Sequence, residues 1–78
     1  MRVRVECYGG RKSDERPVRF WFDDHERIVD EVIAQWYGPN DSFFKIRADD
    51  GLVYILRHDT SAPDGEWSLL AFGNSQVS

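Results

Sequence analysis

Seventy-eight residues, 41% of them hydrophobic and 31% charged, make one small domain, because a chain this short buries only about 60 to 65% of its unfolded surface and cannot divide a core in two. Fourteen acidic against ten basic side chains leave a formal net charge of −4, which argues against nucleic-acid binding through bulk positive charge. Cys7 is the single cysteine, so an intramolecular disulfide and a cysteine-rich metal site are excluded.

Residues 1–8, MRVRVECY, alternate charged and apolar side chains. Val3, Val5 and Cys7 fall on one side, the period of a half-buried strand. This opening lacks the apolar run of a signal peptide, and nowhere does the chain approach the ~20 apolar residues of a membrane span. With one cysteine, the expectation is a cytoplasmic protein without a membrane. Residues 9–16, GGRKSDER, read as an exposed loop. Pro17 then opens a second strand through Phe22, because proline is tolerated at the first position of a strand.

Residues 24–37 support two readings. Ile28, Val29, Val32, Ile33 and Trp36 have helical spacing, Asp23 with Glu26 resembles a capping box, and Gly38-Pro39 is a helix stop. Against this, Ile28, Asp30, Val32, Ala34 and Trp36 also share one face of a strand, and a turn over residues 23–26 would pair the segment with residues 17–22.

After the turn-rich GPNDS of residues 38–42 comes FFKIRADDGLVYILR, residues 43–57. Two β-rich runs flank Asp50-Gly51, a pair suited to the positive φ of a type I′ hairpin turn. A two-residue loop there places Arg47 opposite Tyr54 and Ile46 opposite Ile55. Phe44, Ile46, Ala48, Val53 and Ile55 then form the core face, and Lys45, Arg47, Leu52, Tyr54 and Leu56 the other. A polar loop over residues 59–66 leads to a last strand at residues 67–72, and residues 73–78 read as a disordered tail. Residues 1–72 are thus expected to be one β domain, with the eleven aromatic side chains mostly in its core.

A set of motifs resembles a family of short, uncharacterised bacterial proteins. They are Cys7-Tyr8 with Gly10, Lys12 and Glu15-Arg16-Pro17; Val32-Ile33 with Trp36-Tyr37-Gly38; residues 44–51, FKIRADDG; residues 54–57, YILR; and Trp67-Ser68-Leu69. More loosely, the later motifs are similar to a domain of unknown function encoded near error-prone DNA polymerase genes in some actinobacteria. The resemblance implies a shared small fold and strand over residues 24–37, and it leaves the function open.

Residue chemistry points away from catalysis. His25 and His58 each fall at the polar end of an expected element and read as solvated or capping groups. Carboxylates adjacent to them along the chain point in different directions, so no metal site or other cofactor is expected. Cys7 sits on an inward face, where it behaves as a small apolar residue. Residues 9–13, GGRKS, lack the spacing of a phosphate-binding loop.

The remaining candidate is a surface. Lys45, Arg47 and Tyr54 on one hairpin face, joined by Arg57, Lys12 and Arg16, have the mixture of cations and rings that small barrels use to stack bases. The fold expected is a small, mostly antiparallel β meander of five to six strands, an SH3-like or OB-like barrel, with α+β carrying one helix at residues 24–37 as the alternative. The function expected is a non-enzymatic binding module for another protein, with single-stranded nucleic acid on the hairpin face as the alternative.

Overall fold

The computed structural model describes residues 2–7, 16–61 and 65–74. They form six strands, β1 (Arg2–Cys7), β2 (Pro17–Phe22), β3 (His25–Tyr37), β4 (Asp41–Ala48), β5 (Leu52–Asp59) and β6 (Trp67–Asn74). Each strand pairs antiparallel with the next and β1 returns to β6, which closes a barrel. Residues 24–37 are therefore not helical. The last strand also runs through Gly73 and Asn74, beyond the boundary expected from its aromatic run. The loop expected at residues 9–16 lies, apart from Arg16, outside the described residues.

β2 and β3 are joined by Asp23-Asp24, both at positive φ (55° and 66°), with Phe22 opposite His25. This is a two-residue type I′ loop, and its backbone twist matches the right-handed twist of the strands that flank it. Aspartate tolerates the αL region better than most side chains because its short polar group bonds locally.

The 13 residues of β3 serve two neighbours. Residues 25–28 pair with β2, and from Val29 onward the strand pairs with β4, with register shifts between Val29 and Glu31 and between Val32 and Ala34. Each shift is a bulge, which adds a residue and bends the strand. The bulges stretch the inward spacing from two residues (Arg27 to Val29) to three (Val29 to Val32), and these three are the partly buried positions of the strand. That irregular spacing is what imitates a helical period in the sequence.

The β4–β5 hairpin forms where expected but with a different loop. Gly51 N donates to Ala48 O at 2.9 Å, Gly51 has φ +84°, and Asp49 and Asp50 are not among the positive-φ residues. The connection is a type I turn followed by glycine in αL, a three-residue loop. Arg47 consequently faces Val53, Ile46 faces Tyr54, and Lys45 faces Ile55. A slip of one residue moves every side chain of a strand to the opposite face. Val53 and Ile55 therefore leave the core, and Tyr54 (1% exposed) and Leu56 (fully buried) enter it.

The interior is built from Phe44, Ile46 and Ala48 of β4 and Tyr54 and Leu56 of β5, closed by Phe20, Val3, Trp67 and Leu69. Tyr54 is its hub, edge-on to Phe20 at 4.9 Å and stacked with Phe72 at 5.6 Å between ring centroids.

His58 is also inside rather than solvated at a strand end. It is buried in β5 and stacked on Trp67 at 4.3 Å, and a Cβ on Gly65 would stand 2.8 Å from its Nε2. Gly65 lets the chain pass against the imidazole.

A Cβ on Gly51 would meet no atom within 4 Å, so substitution there isolates the backbone conformation. Gly51→Val is expected to cost about 2 kcal/mol and Gly51→Asn about half that, measured by urea denaturation. An unchanged midpoint for the valine variant would show that the αL residue does not hold the register.

Candidate binding surface

The slip in β5 divides the hairpin surface that the sequence suggests. Lys45, Arg47 and Arg57 share the outer face of the barrel, whereas Tyr54 points inward and cannot join them. Arg47 ion-pairs with Glu31 at 2.6 Å and Arg57 with Asp41 at 2.8 Å. Lys45 alone of the three carries no ion pair among the described residues. The aromatic component of this face is Trp36 stacked on Phe43, with centroids 5.5 Å apart and planes 6° from parallel. Arg16 is exposed just before β2, and Lys12 lies outside the described residues.

Tyr54 instead anchors a polar knot at one end of the core. Its hydroxyl donates to Asp50 Oδ2 at 2.6 Å, Leu52 N donates to Asp50 Oδ1 at 3.0 Å, and Arg27 Nε lies 2.8 Å from Asp50 Oδ2. Burial pushes the Asp50 carboxyl up, but the bonds from Tyr54 and Leu52 and the charge of Arg27 outweigh it and hold the group below its ordinary value. Burial, then the bond to Asp50, pushes the Tyr54 phenol up. The Arg27 guanidinium is raised first by its hydrogen bond to Tyr54, against burial, and further by the charge of Asp50.

A different surface opens where the barrel closes. β1 meets β6 through Arg2 with Ser68 and Val3 with Trp67, reinforced by an ion pair between Arg2 and Glu66. Arg2, opposite Ser68, is the first described residue of β1. Residues 70–74 then have hydrogen-bonded neighbours on the β5 side only, among the described residues. A register shift between Ile55 and Leu56 leaves Leu70 as the bulged residue. Leu70 and Phe72 are each 52% exposed, and with Phe22, Leu69 and Ala71 they line an open groove. Phe22 contacts Phe72 across it at 5.2 Å.

Sequence reasoning misses this groove because each contributor looks ordinary alone. Phe22 and Phe72 are 50 positions apart, and nothing local tells that, among the described residues, β1 pairs only with the first two residues of β6. The absence of charge from WSLLAFGN is the one signal available beforehand.

His58 is held against Trp67, Cys7 packs half-buried beside the core, and His25 is exposed at the start of β3. Among the described residues no three His, Cys, Asp or Glu side chains group so as to hold a metal ion, and no helix is long and apolar enough to cross a membrane.

No protein-family model, curated protein or solved structure matches the chain.

The pH dependence of stability follows from the knot. A carboxyl held low in the folded state contributes stability above its ordinary value, near 3.8 for Asp50, which is lost as pH falls through the depressed folded value. A phenol held high contributes stability below its ordinary value, 10.0 for Tyr54, which is lost as pH rises through the elevated folded one. Tyr54→Phe is expected to cost about 1 to 2 kcal/mol at neutral pH and to flatten the alkaline loss in urea midpoints measured between pH 7 and 11. An alkaline slope identical to that of the wild type would place the titration elsewhere.

Proposed function

We propose that this protein is a non-enzymatic binding module whose docking site is the open seam beside β6 and whose partner is another protein. The observation that carries this reading is the far edge of residues 70–74, unpaired among the described residues and flanked by half-exposed Leu70 and Phe72. A strand edge offers a row of backbone donors and acceptors, and apolar groups beside it add the burial that holds a partner in place. The non-enzymatic part rests on His58 being enclosed against Trp67 and Cys7 being packed against the core. The single cysteine supports a reducing, cytoplasmic setting. Kinship with the short bacterial family rests on the motif set alone.

A second reading, single-stranded nucleic acid on the outer face of β3, β4 and β5, is supported by Lys45, Arg47 and Arg57 around the Trp36 and Phe43 stack. It ranks lower because Glu31 and Asp41 already neutralise two of the three cations, and phosphate binding depends on cations that can replace counterions.

The two readings separate in one comparison. Capture from nuclease-treated lysate of the source cells is expected to yield a protein retained by the wild type and by Lys45→Glu, and lost at least tenfold with Leu70→Lys. Binding of a single-stranded oligonucleotide that weakens steeply with salt and disappears in Lys45→Glu would favour the second reading instead.

A further inference from the structure

We propose that Asp50-Gly51 is a backbone modification site, an aspartate that isomerises to isoaspartate when the β4–β5 loop opens and that Tyr54 and Arg27 keep unreactive while the loop is closed. The chemistry belongs to the sequence. When glycine follows aspartate no side chain shields the next amide, and the space around Gly51 is open, since a Cβ there would meet no atom within 4 Å. The Gly51 nitrogen attacks Asp50 Cγ of the protonated carboxyl, an N–Cγ bond forms, and the amide hydrogen leaves with the carboxyl hydroxyl as water. Water then opens the succinimide. Cleavage between the nitrogen and the former peptide carbonyl leaves isoaspartate, with no net change in composition.

In the folded chain both reacting groups are engaged. Gly51 N donates to Ala48 O at 2.9 Å, which ties the nucleophile into the turn. The electrophile is held as its anion. Asp50 Oδ1 accepts from Leu52 N at 3.0 Å, while Oδ2 accepts from the Tyr54 hydroxyl at 2.6 Å and faces Arg27 Nε at 2.8 Å. Donors of this kind favour the charged carboxylate, which has no hydroxyl to lose, and the carboxyl accordingly sits below its ordinary value. Swinging Cγ onto its own C-terminal amide would also break these contacts.

Protection depends on three strands meeting at one corner. The loop joins β4 to β5, Tyr54 comes from β5, and Arg27 reaches across from β3. Opening of that corner alone releases Asp50, and local opening costs less than global unfolding. Conversion then prevents the corner from closing as before. Isoaspartate places Cβ in the main chain and moves the carboxylate to the α position, so the loop gains an atom and loses the group that bonds Leu52 and Tyr54. The chain keeps a covalent record of having opened.

The test ages the full chain at neutral pH and quantifies isoaspartate by electron-transfer fragmentation of tryptic peptides. Cleavage after Arg47 and Arg57 isolates ADDGLVYILR, residues 48–57, from the second Asp-Gly pair at residues 64–65. Conversion at Asp50 is expected to be at least tenfold slower in the native chain than in the same chain unfolded in urea. Tyr54→Phe and Arg27→Gln are each expected to speed it several-fold relative to Leu69→Ala, a core variant outside the knot, when all three are compared at equal fractions unfolded set with urea. Arg27 is partly exposed, so its variant carries the comparison if Tyr54→Phe does not fold. Equal rates in the native and unfolded chain, or knot variants that convert no faster than Leu69→Ala, would each overturn the proposal.

Discussion

The register of the β4–β5 hairpin is the constraint on which the rest of the barrel depends. Both strands keep their period whichever loop joins them, so the choice between a two-residue and a three-residue loop decides which half of β5 meets water. The three-residue loop puts Asp50 where its carboxylate takes the Leu52 amide and the Tyr54 hydroxyl together and meets Arg27 from β3. A buried phenol left without a partner would cost on the order of 1 to 3 kcal/mol. The turn, the ring it anchors and the arginine facing it are therefore one device that fixes a register the apolar pattern leaves open.

That device also shapes the exterior. With Tyr54 inward, the β4–β5 outer face carries Phe43, Lys45, Arg47, Val53, Ile55 and Arg57, a mixture in which two arginines are neutralised by neighbours. With Tyr54 inward, Phe72 follows as its stacked partner, and Phe72 in turn reaches Phe22. The aromatic chain from Phe20 through Tyr54 to Phe72 thus runs from the sealed core to the open seam. The groove is where the core comes to the surface.

Much of the fold is legible in the residues, and the failures share a physical cause. The alternation of Val3, Val5 and Cys7, the opening at Pro17, the reversal near Gly51 and the final run from Trp67 each correspond to a strand or turn. β4 is apolar on one face only, so its inward side is plain. β5 is apolar on both, with Val53 and Ile55 on one side and Leu52, Tyr54 and Leu56 on the other, so alternation cannot choose between them. Asp50-Gly51 suits either loop, and only the partner waiting for the Tyr54 hydroxyl decides. In β3 the bulges break the period that identifies a strand. His58 looks like a terminal polar residue until Trp67, nine positions on, is seen stacked on it. The seam is the least legible feature because it depends on where two strands cease to touch.

The barrel has two strand edges unpaired among the described residues, and they are defended unequally. From Val29 onward β3 pairs only with β4, and that stretch carries Asp30 and Glu31 and two bulges, all devices that discourage another strand from joining. β6 carries one bulge, at Leu70, and no charge. Half-exposed Leu70 and Phe72 stand beside that uncharged edge. Whatever lies along it gains main-chain hydrogen bonds and apolar burial together, whereas a strand approaching β3 would first have to desolvate carboxylates.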